Sequence, residues 1–324
     1  MTLENLRTIV VALAVYLIVL ASVSRVAVAE EPVAEFGSTK TVPTLQRDLA
    51  LPPIVDGPPT AGKRVAVSPP EYAGSDVHHM LYLPDDWTGE TDALLLPVIV
   101  EYAGNHFPTS GSTGEVEGAQ LGFGISQGKF IWVSLPFISK DHKSNALRWW
   151  GDEEATIEYA KTNVRRICKQ FGGDPNKVLL CGFSRGAIAT NYIGLHDDEI
   201  AKLWCGFITH DHFDGVREWK GTTWGTPLEQ YRREAATRLS RLAGRPYLVC
   251  QAGSTQVISD YLRPITSLDN FTFLDVPVET ILGELPNEIA VHPHTDRWMV
   301  VESPQRRVVH KWVADVLATK VVSP

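Results

Sequence analysis

Residues 177–187 read KVLLCGFSRGA. Lys177–Phe183 is a run of apolar and β-branched residues, the composition of a strand buried on both faces. Helical spacing resumes over Ile188–Leu195. Between the two, Gly182-Phe183-Ser184-Arg185-Gly186 is a G-x-S-x-G set at a sharp turn from strand to helix. Such a turn forces the serine into a strained backbone and presents its Oγ at the sheet edge. Gly182 and Gly186 remove side chains that would collide there. The helix start behind Ser184 supplies free N–H groups and partial positive charge for a developing oxyanion. One short stretch therefore predicts both a buried sheet and a nucleophile.

Working outward, strand-like runs occupy residues 64–68, 77–83, 96–102, 129–135, 203–208, 247–251 and 271–276. Amphipathic stretches at 153–171, 227–242 and 304–317 alternate with them. This alternation predicts an α/β fold, a mostly parallel central sheet covered by helices on both faces. Ligands then sit beyond the carboxyl ends of the strands, so informative residues should follow each strand.

The chain has 324 residues, 44% hydrophobic and 21% charged, which suits a globular domain with ample core. A net charge of −8 argues against nucleic acid as a partner, because phosphate binding needs a basic face. Arg7 precedes an apolar run, Ile9 to Ala21, followed by Ala27-Val28-Ala29. This reads as a secretory signal over residues 1–29, which places the working part outside the cytoplasm, periplasmic or secreted. The run is short for a membrane span, so no stable span is expected once the signal is cut; an uncleaved N-terminal anchor is the alternative. Residues 30–62, with Pro32, Pro43, Pro52, Pro53, Pro58 and Pro59, form a Pro-rich tether or strap, and residues 63–324 the catalytic domain.

The residues from 64 to 319 resemble an α/β-hydrolase of the secreted esterase branch that includes polyhydroxybutyrate depolymerases and feruloyl or acetylxylan esterases. At residue level the resemblance rests on GFSRGA (182–187) and HTDRW (294–298). It implies a serine esterase that forms an acyl-enzyme on small or polymeric esters and needs no cofactor. It implies a base after the last strand, where Val291-His292-Pro293-His294 stands; the family pattern favours His294, with His292 as a structural or pocket-wall residue. It implies oxyanion donors from the backbone N–H of Arg185 and from the loop Tyr102-Ala103-Gly104-Asn105, with Asn105 as donor.

The family's usual acid position after the seventh strand is Gln256 here. The loop after the sixth strand, His210-Asp211-His212-Phe213-Asp214-Gly215, offers substitutes. Asp214 is the first choice, since the following Gly permits a tight turn; Asp211 and Asp260 are the alternatives. Trp149 and Trp150 either wall a pocket or pack in the core. Cys181, Cys205 and Cys250 fall on strands and read as small buried hydrophobes.

Two rival readings stand beside the esterase. Residues 210–214 and 292–296 both carry H-x-H with an Asp two residues later, so a metal-dependent hydrolase is one. A non-catalytic ligand-binding member of the fold, suggested by Gln256, is the other.

Overall fold

Eight strands hydrogen-bond into one sheet in the order β1-β2-β4-β3-β5-β6-β7-β8. They are β1 (Arg64–Val67), β2 (His79–Tyr82), β3 (Leu96–Tyr102), β4 (Ile131–Leu135), β5 (Gly173–Phe183), β6 (Gly206–His210), β7 (Tyr247–Ala252) and β8 (Phe271–Val276). The computed structural model describes residues 48–89, 94–283 and 292–319. Only β2 runs against the rest: it pairs antiparallel with β1 and β4, and every other pairing is parallel. Parallel neighbours need crossover connections, which the helices of the alternating pattern supply.

Period-two alternation explains the continuous apolar runs. In β5, Val178 and Leu180 enter the core on one face, while Leu179, Cys181 and Phe183 enter the other. β7 divides likewise, Tyr247 and Val249 against Leu248 and Cys250. With both faces covered, polar alternation has no place in these strands. The one acidic residue in β3, Glu101, is fully buried and accepts from the backbone N–H of Leu121 and Gly122 and from Trp132 Nε1.

The helix Glu153–Phe171 forms where the periodicity places it. Asp152 caps its start by accepting from Ala155 N, and Gly172 closes it at φ 74, where a side chain would be strained. The last helix, Pro304–Ala318, starts with Ser303 accepting from Arg306 N. Most element boundaries differ from expectation by one to four residues. β5 begins at Gly173, which pairs with Leu96, not at Lys177. β6 runs from Gly206 to His210, two residues further than the apolar run suggests, because Thr209 and His210 are buried polar strand residues.

Residues 48–62 lie against the domain as a strap. Ile54 bridges to Arg64, Ala61 bridges to Leu83, and Arg306 donates to Asp48. Residues 1–47, with the apolar run and the small-residue site, lie outside the described residues. Among the described residues, no helix is long and apolar enough to cross a membrane. All four cysteines are free, and Cys168, Cys181 and Cys250 are buried.

Candidate active site

Ser184 stands on the turn between β5 and the helix Arg185–Tyr192, at φ 56 and ψ −114. Its backbone N–H donates to His210 O at 2.9 Å, tying the turn to the end of β6. The glycines around it are required by space. A Cβ on Gly186 would lie 1.7 Å from Tyr102 O, and one on Gly182 2.1 Å from Gly186 O. Arg185 begins the helix, so its N–H is among the first-turn donors that have no acceptor within the helix.

His294 meets the serine: its Nε2 lies 2.8 Å from Ser184 Oγ. Its other nitrogen, Nδ1, lies 3.1 Å from Asp211 Oδ2. The buried Asp211 is itself held, its Oδ1 accepting from Ala252 N at 2.6 Å and from Gln251 Nε2 at 3.0 Å. Burial opposes its ionised form. The neighbouring His210 and His294, with the Ala252 N–H, outweigh that and hold the carboxyl below its ordinary value. A carboxylate, an imidazole and a hydroxyl thus form one continuous line, with Phe183 packed behind the imidazole at 4.8 Å between ring centroids.

A hydroxyl on a strained strand-to-helix turn, at the centre of a sheet ordered 1-2-4-3-5-6-7-8, decides the architecture. The fold is an α/β-hydrolase fold. No protein-family model and no curated protein matches the chain. Among solved structures, the chain is similar to a thermostable esterase (13% identity, TM-score 0.45), covering 78% of this chain and 62% of that one. It is also similar to a thermophilic carboxylesterase cloned from a metagenomic library (15% identity, TM-score 0.45, 78% and 87% covered). A third similarity is to the AtxE2 isopeptidase (16% identity, TM-score 0.43, 81% and 41% covered).

The acid expected at Asp214 is not beside the imidazole. Both Asp214 oxygens are taken by Arg238, Oδ2 from Nε at 2.8 Å and Oδ1 from Nη2 at 3.1 Å. This buried pair fastens the loop after β6 to the helix Leu228–Ser240. Asp260 is also elsewhere: it is exposed on the helix Gln256–Leu262 and accepts from Gln256 Nε2. Of the three candidate acids, only Asp211 contacts His294.

The two histidine segments do converge, yet their donors are divided. His210 Nε2 faces Thr295 O at 2.8 Å, Asp214 is closed by Arg238, Asp296 accepts from Gln120, and His292 Nδ1 accepts from His294 N. Among the described residues, no three His, Cys, Asp or Glu side chains are grouped to hold a metal ion. His292 acts here as a brace for the His294 backbone. The two tryptophans separate as well. Trp150 is core, stacked on Tyr192 at 4.7 Å, the second of its two expected placements and not a pocket wall. Trp149 stays half-buried at φ 49, its N–H donating to Asn105 Oδ1 at 2.7 Å. The side chain of Asn105 is therefore committed to holding the 149 loop against the loop after β3.

Nothing in the sequence points to a role for the side chain of Arg185. It is buried and donates to five carbonyls: Ala103, Gly104, Gly114, Ala146 and Trp149. Its guanidinium also stands 4.0 Å over the Phe137 ring, and burial pushes it down to about 9. Seven non-glycine residues have positive φ among the described residues, and four of them, Trp149, Ser184, Asp211 and His212, belong to this site. Such conformations cost roughly 1–3 kcal/mol each and persist where the surroundings impose them. A cavity of about 470 Å³, lined by Asp211, Gln251, Pro277 and His294 among others, opens beside the imidazole.

Proposed function

We propose that this protein is a serine hydrolase of carboxylic esters working through an acyl-enzyme, with Ser184 as nucleophile, His294 as base and Asp211 as the orienting acid. The observation that carries the reading is the unbroken hydrogen-bonded line from Asp211 Oδ2 through His294 to Ser184 Oγ. His294 Nε2 takes the hydroxyl proton as Oγ adds to the ester carbonyl. Asp211 fixes the imidazole with its proton on Nδ1 and stabilises the imidazolium that forms. The oxyanion is received by the backbone N–H of Arg185 and that of Asn105, a pair in which one donor is typically worth ~3 kcal/mol. The tetrahedral adduct collapses, the C–O bond to the alcohol breaks, and His294 returns the proton to the leaving alkoxide. Water, deprotonated by the same imidazole, then releases the acid and restores Ser184.

Residues 1–29 are proposed to be a secretory signal, so that the enzyme works outside the cytoplasm; an uncleaved N-terminal anchor is the alternative. Residues 30–62 are proposed to link that signal to the catalytic domain. The test of the chemistry is turnover of short p-nitrophenyl esters by the purified protein and by Ser184→Ala. Ester hydrolysis that disappears in the variant, with the circular dichroism spectrum unchanged, supports the reading. Equal turnover in both overturns it.

A further inference from the structure

The inference here rests on the hydrolase reading and adds a substrate class. Asp211 and His212 follow β6 at φ 55 and φ 121, two consecutive non-glycine residues in a region side chains rarely adopt. Aiming the Asp211 carboxylate at His294 accounts for the first. His212 needs its own reason. Its ring centroid lies 5.0 Å from that of His294 and 4.9 Å from that of Trp219. Arg217 completes the group: its guanidinium stands 4.2 Å over the Trp219 ring, and its Nη2 donates to His212 Nε2 at 3.1 Å. Burial, and next the Arg217 charge, push His212 down to about 3, so the ring is neutral and its lone pair accepts.

Arg217 thus differs from the arginines already committed to a carboxylate or to backbone carbonyls. Arg166, Arg238, Arg241 and Arg306 each pair with a carboxylate. Arg185 and Arg245 are absorbed by backbone carbonyls. Arg217 is oriented by two uncharged rings and, among the described residues, pairs with no carboxylate. The two contacts fix its plane without neutralising it, and its side chain is exposed one ring away from His294. A guanidinium fork held in this way matches a carboxylate through two parallel N–H···O bonds.

We propose that Arg217, seated on Trp219 and held by His212, is an anion-recognising subsite, and that the preferred substrates are esters carrying a free carboxylate on the part of the molecule that lies over His212. Charge-assisted hydrogen bonds are worth enough to give about a tenfold to hundredfold preference.

The test compares kcat/KM for two matched pairs: 4-acetoxybenzoate against its methyl ester, and monoethyl adipate against ethyl hexanoate. The pairs put the anion on the alcohol and acyl sides respectively. The expected result is a preference of about tenfold or more for the anionic member of at least one pair, expressed in KM. In Arg217→Gln that preference is lost, and in Arg217→Lys it is partly kept. Calorimetric binding of the same anionic ester to Ser184→Ala, weakened by Arg217→Gln in that background, reads the subsite without turnover. Hydrolysis of both members of each pair at equal kcat/KM overturns this proposal and leaves the hydrolase standing. So does an Arg217→Gln loss that is equal for charged and neutral esters, since that is the mark of a loop-holding role. Absence of all Ser184-dependent hydrolysis would remove the hydrolase reading and this proposal together.

Discussion

Arg185 Nη2 donates to Gly104 O at 2.9 Å, which binds the residue after Ser184 to the loop that follows β3. The same guanidinium holds Gly114, Ala146 and Trp149, so one side chain gathers three loops around Ser184. Its own backbone N–H heads the helix behind Ser184. In the proposed mechanism, main chain and side chain of Arg185 therefore serve the same oxyanion hole, the first by donating and the second by setting where the Asn105 N–H stands.

Arg185→Lys tests that arrangement. An ammonium has three donors and no fork, so several buried carbonyls lose their partners, at about 1–3 kcal/mol each. The expected outcome is a loss of several kcal/mol in urea unfolding and a fall in the acylation rate of roughly a hundredfold in the fraction that remains folded. Wild-type acylation in Arg185→Lys would show that the loops hold their place without it.

The two aspartates of the loop after β6 should behave in opposite ways. Asp211→Asn leaves the fold intact and lowers kcat by about 10⁴, as expected when the imidazole loses its tautomer and its counter-charge. Asp214→Asn strands the buried Arg238 and destabilises the protein by about 3–5 kcal/mol. Stability from chemical denaturation and kcat per folded molecule separate the two. A kcat loss larger for Asp214→Asn than for Asp211→Asn would reassign the acid.

Gly186→Ala inserts a methyl 1.7 Å from Tyr102 O, against backbone that cannot give way. The turn has to open, and the expected cost is about 3 kcal/mol or more, read as a lowered unfolding midpoint or as failure to express in soluble form. Gly172→Ala is the control, since nothing stands within 4 Å of that site and only its φ of 74 is strained. Equal stability of the two variants would contradict the close approach.

Glu101 sets a pH signature. Burial, and then the nearby Asp296, push its carboxyl up to about 8. Its proton is therefore bound more tightly in the folded chain than in the unfolded one. That contribution is complete below the ordinary carboxyl range and is lost as pH rises towards about 8. The unfolding free energy should fall across this interval by up to about 1.4 kcal/mol per pH unit from this one group. Glu101→Gln should flatten the slope, whatever it does to absolute stability. An unchanged slope in urea titrations between about pH 5 and pH 8 would rule the contribution out.

Much of this was legible in the sequence because both the strands and the turn at Ser184 obey local rules. KVLLCGF over residues 178–183 and LPVIVEY over residues 96–100 are apolar since both faces are covered, and the glycines at 182 and 186 are dictated by space alone. Asp211, the acid proposed here, is not the first choice in the sequence for an equally local reason. Thr209 and His210 are polar, so the apolar run seems to end β6 at Ile208, although both residues are buried in the sheet. With the strand ending at His210, Asp211 is the first residue past the sheet, where site residues are expected. The Gly after Asp214 marks a turn, and Asp214 in that turn anchors Arg238. The contacts of Arg185 and Arg217 are not readable in the sequence, because their partners come from loops far apart in the chain or from ring stacking that no spacing encodes.

The most direct test of the account is the site of covalent labelling by a fluorophosphonate, mapped by peptide mass spectrometry. The account predicts a single adduct on Ser184, formed quickly by the wild-type protein and slowed by orders of magnitude in His294→Ala. No adduct, an adduct on another residue, or labelling unaffected by the loss of His294 would contradict it.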